Sequence, residues 1–141
     1  GPMNDWNTSE ITTFKDAFIG RTTFAPGASF VANWDTLNVN DMNSMFRSCT
    51  AFNPGPNFGS TWDTSKVTTF LGMFQSANAF NPGPTFGSTW DTSRVATMSQ
   101  MFYQATKFKK GIGQCHWDTS KVMNFSDMFT STSSEGVACS C

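Results

Sequence analysis

Leucine is almost absent, with Leu37 and Leu71 the only two among 141 residues. A conventional aliphatic core is thereby excluded, and burial must fall to fifteen Phe, five Trp and eight Met, whose rings and thioethers suit it. Charge is scarce too. At 13% charged residues and a net charge of -1, no extended field argues for nucleic acid or an anionic membrane as partner. No apolar run approaches the roughly 18 residues of a membrane span, so no membrane insertion is expected of this segment. The single histidine, His116, sits between Cys115 and Trp117, with no second His and no suitably spaced carboxylate. That is a thin inventory for nucleophilic or acid-base catalysis, so the chain reads as non-enzymatic and without a cofactor.

What is abundant is repetition. Trp-Asp-Thr stands at 34, 62, 90 and 117, with Trp-Asn-Thr at 6, so repeats begin every 28 residues until one deletion shortens the fourth to 27. A fixed period in the range of roughly 20 to 50 residues marks an array whose units bury their apolar faces against their neighbours. Residues 1–5, opening with Gly1-Pro2-Met3, resemble a protease-cleavage scar and linker and are set aside. Residues 6–141 form a single repeat domain with repeats starting at Trp6, Trp34, Trp62, Trp90 and Trp117. The last repeat, with its polar Ser131-Thr132-Ser133-Ser134 run, is expected to be a C-terminal cap. The first repeat keeps Trp6, Ile11, Phe14, Phe18, Phe24 and Phe30 with no polar coil before it. This suggests a chain cut from a longer protein, with an N-terminal coil either covered by loops of its own or used for weak self-association.

Counted from each Trp as position zero, position five is Ile11, Val39, Val67, Val95 and Val122, and position eight is Phe14, Met42, Phe70, Met98 and Phe125. Positions eleven and twelve pair Met with Phe, ending in Phe46, Phe74, Phe102 and Phe129. These spacings describe one face of a short helix, and the preceding Asp35, Asp63, Asp91 and Asp118 would cap it. Asn-Pro-Gly-Pro then ends the helix. The stretch from Phe58 or Phe86 to the next Trp reads as one short strand per repeat in a parallel ladder. The expected fold class is α/β: five coils of about 28 residues, each a short helix plus a short parallel strand.

The run from Trp62 to Asn81, Trp-Asp-Thr-Ser-x-Val followed by Met-Phe, Ala and Phe-Asn, resembles the repeat of BspA-like leucine-rich-repeat surface proteins. The nearest likeness is to their branch of unknown function in bacterial lipoproteins and protist surface proteins, and it covers essentially the whole chain. The resemblance implies a right-handed leucine-rich-repeat-like solenoid, a cell-surface or extracellular location, and adhesion or ligand binding. It brings no catalytic residues.

Each candidate site has a plain structural counterpart. The Trp column (Trp34, Trp62, Trp90, Trp117) is a register-holding stack before it is a sugar-stacking surface. The Asp column is a set of caps before it is a calcium site. Lys66, Arg94 and Lys121 share position four, and Tyr103 stands at position thirteen. A solvated face is the default for them, and an anionic glycan or acidic protein contact the functional alternative. Cys115, with Cys139 or Cys141, is a candidate disulfide; zinc at Cys115, His116, Cys139 and Cys141 is the lesser reading, because Cys-x-Cys departs from the usual spacing. No metal is assigned. The function expected is adhesion or binding of a protein or glycan ligand at a cell surface or in secretion. The alternative is a self-assembling module, or one that binds ice or mineral through its Thr rows.

Overall fold

The computed structural model describes residues 2–27 and 29–136. Alternate backbone N–H groups in each coil have different destinations, and this alternation builds the fold. In the first coil, Phe14, Asp16, Phe18 and Gly20 donate to the carbonyls of Asp41, Asn43, Met45 and Arg47 in the second, at 2.8–3.0 Å. The intervening Ala17, Ile19 and Arg21 instead donate back three residues, to Phe14, Asp16 and Phe18. The same pattern repeats through the following coils, for example Phe46 to Met73, Phe74 to Met101 and Phe102 to Met128. At every interface a bond at position six runs the other way, from Asn40 to Thr12, Thr68 to Asn40, Ala96 to Thr68 and Met123 to Ala96, and Lys107 to Asn78, Gly113 to Pro84 and Ser133 to Phe108 add to it between the later coils. The coils therefore stack in parallel, joined through single bridges at Thr13, Asp41, Thr69, Thr97 and Asn124.

This overturns the expected helix-plus-strand α/β solenoid. Among the described residues the only helical elements are a 3₁₀ turn at Met3–Asp5 and one α-helical turn, α1, at Ile112–Cys115. The apolar spacing that mimics a helix face belongs to successive four-residue turns. A helix needs φ near -63° throughout. Here Asp16, Ser44, Gly72, Gln100 and Asp127 at one position, and Gly20, Ser48, Ser76, Gln104 and Ser131 four residues on, all have φ between +54° and +71°. Positive φ at the third residue of a turn is what a type II turn demands, and no helix passes through it. The expected strand fails as well. From Phe58 to Trp62 the chain folds as turns, with Ser60 bonded to Asn57 and Trp62 to Gly59, and the bridges fall in the segment expected to be helical.

Rings fill the space that the turns enclose. Phe18, Phe46, Phe74, Phe102 and Phe129 form one continuous column, with adjacent centroids 5.3–5.6 Å apart and planes within 7°. A second column, Phe24, Phe52, Phe80 and Phe108, repeats at 5.8–5.9 Å. Within each coil the two columns stack on each other, as Phe74 does on Phe80 at 4.1 Å. Phe30, Phe58 and Phe86 meet them edge-on, the Phe86 and Phe80 planes crossing at 89°. Both arrangements suit the ring quadrupole. Val39, Val67 and Val95 with Met45, Met73 and Met101 are fully buried around the columns.

Tryptophans close one side. Trp62, Trp90 and Trp117 stack at 5.9–6.1 Å, and Trp90 and Trp117 donate their indole N–H to Gly59 O and Gly87 O, 31 and 30 residues earlier in the chain. Those glycines have φ of +70° and +76°, and a Cβ at Gly87 would lie 2.6 Å from Trp117. The equivalent residue one coil earlier is Val31, also at positive φ, where a side chain replaces that clearance. Trp62, the counterpart of Trp90 one repeat earlier, has in its Nε1 the one buried side-chain polar atom without a partner among the described residues. In the fourth coil, Gln114 occupies the place of Phe58 and Phe86. Its buried amide accepts from Gly111 N–H at 2.7 Å and donates to Phe86 O, which accounts for α1. Gly111 and Gly113 are needed there because a Cβ on either would strike the Pro84 to Phe86 backbone at 2.3 Å.

Two substitutions test this packing. Phe74→Ala removes a fully buried ring from the middle of the longest column and is expected to cost about 3–5 kcal/mol, enough to unfold a marginal domain. An unchanged melting temperature would place Phe74 outside the core. Gly87→Ala combines left-handed strain with displacement of the Trp117 indole and should cost about 2 kcal/mol in denaturant melts, with a shift in tryptophan emission.

Candidate functional site

The most regular exposed feature is an edge where each coil begins. Asp63, Asp91 and Asp118 each accept, through Oδ1, the N–H of the serine two residues on, at 2.9 Å. Asp35 does the same for Leu37 at 3.0 Å, and Asn7 for Ser9 at 3.2 Å. These carboxylates therefore cap turns, where the sequence suggested helix caps. Ser65, Ser93 and Ser120 hold the carboxyls of Asp63, Asp91 and Asp118 below the usual range, first through their hydroxyls and then through their N–H groups. Lys66, Arg94 and Lys121 add a smaller effect of the same sign.

Behind this edge the Thr column joins the coils. Thr8 Oγ1 donates to Asp35 O at 3.1 Å and accepts from Asp35 N–H at 2.8 Å. Thr36 and Thr64 bind Asp63 and Asp91 in the same reciprocal way, and Thr92 donates to Asp118 O at 2.9 Å. A hydroxyl is both donor and acceptor, so one buried side chain replaces two ladder bonds. Those hydroxyls are spent inside the array and do not form an outward row.

The structure sets Lys66, Arg94 and Lys121 one coil apart on the exposed edge beside the Asp row. Lys66 Nζ donates to Asn38 Oδ1 at 3.0 Å, and Asn38 Nδ2 in turn to Ser9 O, so the row begins as a hydrogen-bonded chain across three coils. Tyr103 is half-buried, and among the described residues no contact joins it to these cations. Lys109 pairs with Glu135 at 2.5 Å and Lys110 lies over the Phe129 ring at 5.3 Å, which takes both out of the row.

A second surface lies at the N-terminal end of the stack, an open apolar basin of about 730 Å³ between Met3, Trp6, Ile11, Phe14, Phe18 and Trp34. Trp6 is 52% exposed there. At the other end, the last coil carries Met123 at 86% exposure and Phe125 at 46%, apolar atoms that the reading of this coil as a polar cap overlooked.

The model of the family described as "Mycoplasma protein of unknown function, DUF285" matches residues 1–85 and 84–135. The chain belongs to this family. Neither a curated protein nor a solved structure matches it. As a DUF285 member it brings no residue of assigned role, so the site rests on geometry. Among the described residues no group of three or more His, Cys, Asp or Glu side chains is placed to hold a metal ion. Cys115 is disulfide-bonded. The other cysteines of the candidate bridge, Cys139 and Cys141, lie outside the described residues. Cys49 is a free, buried thiol whose Sγ donates to Phe18 O at 2.9 Å, and burial pushes its pKa up to about 11.

The turn-capping carboxylates give the fold a dependence on acid. Groups whose folded pKa is lowered contribute stability that is complete above the unfolded value and lost as pH falls through the folded one. Melting temperature should therefore be level above about pH 5 and decline below the ordinary aspartate value of about 4. Asp63→Asn/Asp91→Asn/Asp118→Asn keeps the acceptor, as Asn7 does in the first coil, and should flatten that decline. An acid profile identical to wild type would remove these carboxylates as its cause.

Proposed function

We propose that this DUF285 protein is a non-catalytic binding module of a cell surface or secretion, akin to the BspA-like branch of surface proteins, that holds a protein or glycan ligand along its charged edge. The observation that carries this reading is the row Lys66, Arg94 and Lys121, exposed and repeated once per coil on a backbone whose spacing is fixed by hydrogen bonds. A ligand with anionic groups at a regular interval, such as an acidic polysaccharide or an acidic protein segment, meets such a row at several points at once. A rigid backbone spares the cost of ordering the chain on binding, and several weak contacts then act together. The likeness of the Trp62 to Asn81 repeat to BspA-like proteins supports the surface location and the adhesive role.

Binding to glycan and extracellular-matrix arrays tests it. Saturable binding to an anionic ligand is expected, weakening as salt is raised. The variant Lys66→Ala/Arg94→Ala/Lys121→Ala should lose at least about tenfold in affinity with its melting temperature kept. Binding unaltered in that variant, or absent across the arrays, would overturn the reading.

A further inference from the structure

The two ends of the stack are complementary to each other. At every internal interface, four N–H groups of one coil donate to four carbonyls of the next, and the N–H at position six of the later coil returns a bond. In the last coil the corresponding donors, Phe125, Asp127, Phe129 and Ser131 N–H, have no partner among the described residues. In the first coil the corresponding acceptors, Thr13, Lys15, Ala17 and Ile19 C=O, are likewise open. The return bond is matched too, with Thr12 N–H free at one end and Met123 C=O at the other.

We propose that the C-terminal face of one copy docks on the N-terminal face of a second, continuing the coil-to-coil ladder across the junction. The side chains fit the same superposition. The Phe column would run on from Phe129 to Phe18 of the next copy, and Phe125 would enter the basin over Phe14, the residue at its own position in the first coil. Glu10 and Lys121 are the two ends of the position-four row, so the junction sets opposite charges beside each other. Asp16 and Asp127 also meet there, a like-charged pair that opposes docking and keeps it reversible. A contact between two different faces closes into a ring only where its repeated rotation returns on itself; one that continues the coil-to-coil step adds copies along the stack as an open chain and does not stop at a dimer.

The test uses exposed residues, which leaves the fold intact: Ile11→Glu blocks the N-terminal face and Phe125→Glu the C-terminal one. Sedimentation of the wild type should show mass rising continuously with concentration, and each variant alone should associate about tenfold more weakly. Mixed together, the two variants each keep one good face and should form a one-to-one pair that grows no further. Glu10→Lys and Lys121→Glu should each weaken assembly, and the double variant should restore it. A wild type that stays monomeric at millimolar concentration, a wild type that ends at a dimer, or variants that fail to pair when mixed would overturn the proposal.

Discussion

The fold depends on a division of labour among backbone N–H groups. A chain that sent them all to its own earlier residues would be a helix, and one that sent them all to a neighbour would be a sheet. Here alternate groups do each, and the residues between must turn sharply enough to keep both sets aimed. Positive φ at Asp16, Ser44, Gln100 and their equivalents is the cost, roughly 1–2 kcal/mol for each non-glycine residue in isolation. It is sustained because every coil after the first inherits its register from the one before.

Ring columns and hydroxyls enforce that register from two directions. Phe residues stack with their planes almost parallel, so the separation of coils is set by ring contact as well as by hydrogen bonds. Thr36 and Thr64, each bonded to both the N–H and the C=O of one Asp, pin the edge on which Lys66 and Arg94 are displayed. A shift in one coil would therefore break ladder, column and clamp together. Trp62 shows the tolerance of the system: with Val31 in place of a glycine it gives up its hydrogen bond yet remains buried and stacked on Trp90.

The sequence made the period legible, because every coil makes the same contacts and so needs the same residues. It made the local conformation misleading. Residues at positions five, eight, eleven and twelve point inward whether the chain is helical or built of four-residue turns, since both place side chains three or four residues apart on one side. The better signal lay in the polar residues between them. Ser48, Ser76 and Gly20 stand at one left-handed position, and Asp16, Ser44 and Gly72 at the other, and these include residue types that tolerate positive φ. Thr36 and Thr64 were visible as a column, but that their hydroxyls reach into the next coil follows only from the stacking direction. The positions of the position-four cations on one edge follow from the period alone, whereas the separation of Tyr103 from them required the coordinates.

The direction of the ladder also decides how the protein would bear load. Bonds between coils lie along the stacking axis, so tension applied between the first and last coils pulls on every interface in series, each held by a few hydrogen bonds and its ring contacts. Such an arrangement yields one coil at a time, and a freed coil of 28 residues lengthens the chain by about 90–100 Å at full extension. A stack that gives way in small steps dissipates a sudden pull, a mechanical property that a single closed core of the same size would not have.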